Sequence, residues 1–324
     1  MQLRVFLEMV TDKEILQLTS KDYQFYIQNL PRWPKSASKN KLYKGKNARD
    51  IASMPDPENT ISVKTMETYC TTVTGFIRWA ADRDENKGMN TSILRMKPQT
   101  NQVKGDGYVA FTSEHLSTIF ESDRAISFLE KTRWPYQKFI GPLGLFLGCR
   151  LDEICSLQTN QIGKENGIYY IEIRKGKTEN AVRKVPLAST LVDTLGFIKF
   201  WEYKKSLGEK RLFPECTYVH KHGYKKAASR WFGEFLDHLG ITDKKYVFHS
   251  FRHNVSNVLN EVDTLKSWRI SRYLGHAIPP GASESERSYF KQRKLEHLLP
   301  VVAELKYNIN WARYKNLCRK TYAT

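Results

Sequence analysis

Apolar residues recur every three or four positions between Ile61 and Ala80, which is the spacing that buries one face of an α-helix. Thr60 stands just before this pattern and is a suitable N-cap. Residues 20–30 have a similar composition, and Pro31 ends them because proline cannot continue a helix. These patterns predict a helical domain over residues 1–97.

Residues 111–324 form the second predicted domain, which is also mostly helical. Within it, residues 168–173 and 182–187 are strand-like, and the polar segment 174–181 joins them, so we predict an antiparallel hairpin. Residues 98–110 have the composition of a linker. The predicted fold is therefore mainly α, with a helical domain followed by a mostly helical domain that carries a small antiparallel β-sheet.

Charge is the strongest compositional signal. The chain has 52 Lys and Arg against 34 Asp and Glu, a formal net charge of +18, which favours nucleic acid as the partner and an acidic membrane surface second. The apolar stretch 139–149 is far shorter than the roughly 20 residues of a membrane-spanning helix, and we read no signal peptide. The five cysteines show no CxxC spacing, so we expect a reducing compartment and free thiols.

Several kinds of site are absent from the sequence. It contains no phosphate-binding GxxxxGK[ST] loop, no HExxH motif and no EF-hand loop. His220 and His222 flank one lysine without a third ligand nearby, which favours a surface loop over a metal site. We therefore predict no cofactor and no metal. The basic segment 34–49 fits either a solvated loop or a loop that contacts phosphates.

Six residues suited to phosphate chemistry are spread along the second domain, and each is a weak signal when taken singly. They are Arg150, Lys177, His249, Arg252, His276 and Tyr289. In this order and in these contexts they resemble the active site of the tyrosine site-specific recombinases, the phage integrase family. Residues 148–154, 177–187, 248–253 and 273–276 resemble its first arginine box, hairpin lysine, HxxR box and LGH box. The resemblance covers residues 110–290, and residues 1–97 match the family's core-binding domain only in kind.

The resemblance implies that Arg150 and Arg252 hold the non-bridging oxygens of a DNA phosphate, whose negative charge grows in the transition state. It also implies that Tyr289 attacks the phosphorus and forms a 3′-phosphotyrosyl link. Because that link conserves the energy of the broken bond, rejoining needs no ATP. The protein's own cations supply the charge, so a metal ion is not required.

The remaining roles also follow from the resemblance. The hairpin lysine, Lys177, is expected to protonate the departing 5′ oxygen, with Lys175 as the other candidate. His249 and His276 are expected to hydrogen-bond the phosphate or assist proton transfer. For Glu153 we expect a role in stabilising the helix start or pairing with a neighbouring base rather than direct catalysis.

The resemblance implies partners as well. We expect double-stranded DNA at attachment sites, a homotetramer on two synapsed sites, accessory directionality or DNA-bending proteins, and no membrane. The expected location is the nucleoid in the cytoplasm of a prokaryotic cell. The amphipathic tail after about residue 291 fits a contact with another protomer or packing on its own domain, and the sequence leaves open a further N-terminal arm-binding domain.

Three other functions remain open at this point. A type IB topoisomerase uses a similar set of residues, and a catalytically silent DNA-binding regulator could share the fold. A basic RNA-binding protein fits less well, because the sequence lacks the aromatic motifs of RNA-recognition modules.

Overall fold

A computed structural model of the chain describes residues 2–89, 91–98, 107–175, 179–292 and 294–322. The chain divides into two compact units, residues 1–106 and 107–324. Each unit has its own apolar core. Over the described ranges, every helix is too short or too polar to span a lipid bilayer.

The first unit is helical. Its helices are α1 (Gln2–Met9), α2 (Ser20–Asn29), α3 (Ala48–Ala52) and α4 (Val63–Ala81). Short 3-10 turns lie between α1 and α2, between α2 and α3, and after α4. The face predicted for α4 is buried at Met66, Tyr69 and Val73. The N-cap prediction was wrong: Ser62 caps α4 by accepting from the Thr65 backbone N–H, while Thr60 forms a β-bridge with Pro34.

The second unit surrounds a small sheet with helices. Its strands are β1 (Ile162–Glu165), β2 (Ile168–Ile173) and β3 (Arg183–Pro186). Its helices are α5 (Ser113–Phe120), α6 (Asp123–Glu130), α7 (Tyr136–Leu147), α8 (Leu151–Cys155), α9 (Phe197–Ser206), α10 (Lys226–His238), α11 (Ser250–Asn260), α12 (Ser267–Leu274), α13 (Glu284–Gln292), α14 (Leu299–Glu304) and α15 (Ala312–Arg319).

The sheet is antiparallel in the order β1-β2-β3, with Ile171 opposite Ile162 on one side and Val185 on the other. This confirms the predicted hairpin and adds β1, which the sequence analysis did not identify. The predicted fold class, mainly α with a small antiparallel sheet, is confirmed.

Close packing of α7 on α11 positions the segment that follows α7. A Cβ on Gly144 would lie 2.7 Å from the Phe248 ring, so only glycine allows this approach. Gly148 ends α7 in a left-handed conformation at φ +57°, and a Cβ there would lie 2.7 Å from Leu274 of α12. Residues 148–150 are thereby held against both α11 and α12.

The C-terminal tail packs on its own unit. Leu298, Val301, Leu305 and Leu317 are buried in the same core as α7 and α11. Of the two alternatives that the sequence left open, the described tail adopts packing on its own domain.

Candidate active site

Arg150 lies at the junction between α7 and α8. Gly148 turns the chain out of α7, and Arg150 takes an extended conformation as the N-cap of α8. Glu153, one turn into α8, accepts from the Arg150 backbone N–H and from its Nη1, both at 2.9 Å. The carboxylate therefore orients the Arg150 guanidinium, whose side chain is 40% exposed.

Arg252 lies deeper, on α11, and is only 5% exposed. Its Nη1 donates to the Gly148 carbonyl at 2.7 Å, and its Nη2 donates to the Leu274 carbonyl at 2.5 Å. The same Nη2 lies 2.7 Å from Nε2 of His276. Arg252 thus ties the ends of α7 and α12 to α11.

His276 follows α12 in a tight terminal turn. Gly275 adopts φ +72°, and the His276 N–H donates to the Ser271 carbonyl at 2.7 Å, a pattern typical of a helix ended by a left-handed glycine. Because a guanidinium can only donate, Nε2 of His276 accepts from Arg252, which requires the neutral ring with its proton on Nδ1. Loss of solvation and then the charges of Arg252 and Arg150 lower the pKa of His276, in agreement with a neutral ring.

His249 stands at the N-cap position of α11, three residues before Arg252. Burial, followed by the charges of Arg252, His253 and Arg150, lowers the pKa of His249 to about 4. The same kind of environment, burial first and then Arg183 and Arg150, lowers the pKa of Arg252. We call Arg150, His249, Arg252 and His276 the basic cluster, and its concentrated positive potential suits an anion.

Among the described ring contacts and hydrogen bonds, none joins Tyr289 to this cluster. It lies on α13, is 47% exposed, and stacks on Trp268 with ring centroids 6.2 Å apart and on the edge of His297 at 5.4 Å. Trp268 is in the first turn of α12, whereas His276 follows its last turn, and a helix of this length spans about 12 Å. The described ring contacts of the phenol are thus with Trp268 and His297.

The hairpin lysine, Lys177, lies outside the described residues. The other candidate, Lys175, is exposed and lines an open cavity of about 200 Å³ together with Glu153, Ser156 and Tyr224. Neighbouring Arg174 is engaged by Asn160, with Nη2 donating to its carbonyl at 2.8 Å.

Arg183 lies within the hairpin motif 177–187, but the sequence pattern predicted no role for it. Arg183 starts β3, and its side chain is 1% exposed and 3.2 Å from the Glu153 carboxylate. A charged residue two positions before Val185, at an inward-facing register of the strand, is the signal that could have identified it.

The two ion pairs of Glu153 and its helix-start hydrogen bond agree with the structural role expected for it. Within the part of the chain that the structure describes, no group of three or more His, Cys, Asp or Glu side chains is arranged to hold a metal ion.

Comparison with solved structures agrees with this architecture. The XerH site-specific recombinase, in its pre-cleavage complex with difH substrate, matches with a TM-score of 0.51 at 13% identity, over 89% of this chain and 73% of that chain. A lambda integrase tetramer bound to a Holliday junction gives a TM-score of 0.49 at 14% identity, over 87% and 71%. The Tn1549 transposon integrase with transposon right end DNA gives 0.49 at 13%, over 89% and 90%. On the XerH match, the fold is that of the tyrosine recombinases.

The match to a family is more specific. Residues 121–279 match the model of the phage integrase family, a segment that contains the whole basic cluster. Residues 121–279, just under half of the chain, are therefore a phage integrase domain. Comparison with curated proteins gave no match.

Proposed function

We propose that this protein cuts and rejoins double-stranded DNA at specific sites through a covalent 3′-phosphotyrosyl intermediate, with Tyr289 as the nucleophile. The observation that carries the proposal is the basic cluster, in which Arg150 and Arg252 are held by separate elements and lie close enough for the charge of one to act on the other. With a net charge of +18, a DNA phosphate is the anion that best fits.

Arg252 is suited to bind both the ground state and the transition state. Its described partners engage Nη2 twice and Nη1 once, so Nε–H and one Nη1–H remain for phosphate oxygens among the described residues. Arg150, nearer the surface, supplies a second fork. Preorganised donors of this kind stabilise the negative charge that develops on the non-bridging oxygens.

The chemistry balances without an external energy source. The Tyr289 oxygen attacks phosphorus, the bond to the 5′ oxygen breaks, and that oxygen takes a proton from the hairpin lysine, for which we propose Lys177. The phenol proton leaves to His249 or water, since burial and the neighbouring charges keep His249 neutral near pH 7, while the neutral His276 is already engaged by Arg252. Attack by a 5′ hydroxyl on the phosphotyrosine reverses the steps and joins strands, with neither ATP nor a metal in the proposal.

Tyr289 must leave its contacts with Trp268 and His297 to reach the phosphate. Within the described residues α13 has no buried side chain, and its attachment to α12 includes a hydrogen bond from Arg272 to the Phe290 carbonyl. A helix held so lightly can shift at small energetic cost. We propose that DNA binding draws α13 towards the basic cluster, or that a neighbouring copy supplies its own α13.

The partners we propose follow from the family. The first unit would contact the DNA backbone through the basic segment 34–49. The recombining species would be a homotetramer; the lambda integrase bound to a Holliday junction is a tetramer. Integration or excision of a mobile element in a prokaryotic nucleoid, with accessory directionality or DNA-bending proteins, is the biological setting we propose.

Adduct trapping tests the proposal. The protein is incubated with a pool of nicked duplexes carrying a randomised core, and covalent complexes that survive denaturation are recovered and sequenced. We expect one recurring sequence and an adduct mass that maps to the peptide containing Tyr289. Specific DNA binding without any adduct would identify a silent regulator, and relaxation of supercoiled plasmid without site preference would identify a topoisomerase.

A further inference from the structure

Arg183 is a buried cation with partners in several segments. Its Nε donates to the Tyr273 carbonyl and its Nη1 to the Ala181 carbonyl, both at 2.8 Å. Its Nη2 donates to Glu153 Oε2 at 3.2 Å and lies 3.4 Å from the Cys149 thiol. A buried charge is tolerated only when such partners replace water, so this arrangement fixes the guanidinium in one position.

The partners of Arg183 lie next to proposed catalytic groups. The Glu153 oxygen that it binds also accepts from the Arg150 backbone N–H, and the other Glu153 oxygen holds the Arg150 guanidinium. The Tyr273 carbonyl immediately precedes Leu274, whose carbonyl accepts from Arg252. β3, which Arg183 begins, is the strand that returns from the segment containing Lys177.

Gly275 shows how closely Arg183 approaches the turn before His276. A Cβ at Gly275 would lie 2.7 Å from Arg183 Nη1, and the residue already needs glycine for its φ of +72°. The guanidinium therefore fills the space beneath the turn that presents His276.

We propose that Arg183 is a positioning residue for strand cleavage, which joins the hairpin strand to Arg150 through Glu153 and to the turn that carries His276. This inference rests on the proposed function. Arg183 does not touch DNA. It acts by holding the Arg150 guanidinium and the His276 turn in register, so that both meet the same phosphate.

Position 183 requires an arginine because the acceptors around it lie in different directions. A planar fork donates in several directions at once, whereas the ammonium of lysine is a point charge on a flexible stem. Arg183→Lys keeps the positive charge beside Glu153 and loses part of the geometry, whereas Arg183→Met loses both. Comparing the two variants therefore separates the effect of the positive charge from the effect of the hydrogen-bond geometry.

The experiment measures single-turnover adduct formation at saturating protein on the duplex recovered by adduct trapping, together with the Kd for that duplex and the melting temperature. Arg183→Met and Arg183→Lys are compared with Arg211→Met. Arg211 also donates to a backbone carbonyl, that of Cys155 at 2.6 Å, but has no described contact with Glu153 or the His276 turn.

We expect Arg183→Met to lower the rate about 100-fold, the loss typical of misplaced catalytic groups, with Kd within about twofold of the wild type. Arg183→Lys should recover part of this loss, and Arg211→Met should cleave as the wild type does. Combining Arg183→Lys with Glu153→Gln should cost little more than the worse single change, because both act through one path.

A duplex with an uncharged methylphosphonate at the scissile position provides a readout that a merely structural role would not move. The transition state for cleaving this duplex carries less negative charge for Arg150 to stabilise. The loss of cleavage rate in Arg183→Met should therefore shrink to below about tenfold. Three outcomes would each overturn the inference. They are an equal loss of cleavage rate on both duplexes, Arg183 variants that cleave like the wild type, and Arg183 variants that all fail to fold. If the wild type forms an adduct and the Arg183 variants match it, only this inference fails, whereas absence of a wild-type adduct removes the proposed function as well.

Discussion

The basic cluster and the helix that carries Tyr289 differ sharply in how the protein holds them. Arg252 is almost fully buried, and its guanidinium is fixed by the ends of two helices. Tyr289 is about half exposed on a helix without a buried side chain among those described. The charge of Arg252 is therefore held within the core, whereas the proposed nucleophile lies on the surface.

This difference has a physical reason. Charged groups stabilise a transition state most when they are already oriented and need no rearrangement, which favours burial and multiple partners. A phenol that attacks and then leaves phosphorus benefits from a support that can shift. Local stability follows buried contacts, so α13 should open at a lower free energy than α11.

Replacing the proposed nucleophile, Tyr289, should have the largest effect. Tyr289→Phe removes the attacking oxygen, so we expect adduct formation to be abolished while the melting temperature and DNA affinity stay unchanged, because the ring contacts with Trp268 and His297 remain. Gel analysis of denatured complexes, calorimetry and DNA titration provide the measurements. An adduct that persists in this variant would show that another residue is the nucleophile, and the contrast between the basic cluster and Tyr289 would then not hold.

Changing Arg252 should affect both rate and stability, unlike changing Tyr289. Arg252→Lys cannot serve the Gly148 and Leu274 carbonyls and a phosphate together, so we expect a loss of about 100- to 1000-fold in cleavage. The buried acceptors left unpaired should lower the free energy of unfolding by about 1–3 kcal/mol. Single-turnover cleavage and denaturant unfolding test this, and a slow variant with wild-type stability would show that the cluster is not built into the core.

The pH dependence of stability should also report on the cluster. The pKa of His249 is lowered in the folded state to about 4, below its usual value, so protonation favours the unfolded chain. His249 should therefore contribute stability that is complete above about pH 6.5 and is lost as the pH falls towards 4, by on the order of 1 kcal/mol after allowance for partial exposure.

His249→Asn provides the matched control, because it keeps a polar side chain that does not titrate. Denaturant unfolding between pH 7 and 4 should show a shallower decline for this variant. Parallel curves for the two proteins would mean that His249 is as solvated as a surface imidazole.

The smallest effect concerns the contacts that hold Tyr289. His297→Ala removes the edge contact with the phenol ring, worth about 0.5 kcal/mol, so adduct formation should rise by roughly twofold. Amide hydrogen exchange should show faster exchange in α13 and no change in α11. A slower reaction would indicate that His297 supports the attacking phenol instead of retaining it.

Much of the architecture was readable from local patterns. The periodicity of α4 and the strand-like runs of β2 and β3 predicted their elements, because amphipathic spacing directly reflects which face is buried. The short β1 was missed, and Ser62 rather than Thr60 caps α4, since strand pairing and the Thr60 bridge depend on distant partners.

The sequence by itself determined the residue types of the site, because their order and local contexts identify a family whose domain spans residues 121–279. Only the tertiary structure decided which of them meet. Arg150, Arg252 and His276 converge because α7 packs on α11 at Gly144 and against α11 and α12 at Gly148, whereas the Tyr289 ring contacts Trp268. The role proposed for Arg183 could likewise be recognised only in the tertiary structure. The direction of its buried guanidinium is set by acceptors from distant segments, and the order of residues along the chain does not show which segments these are.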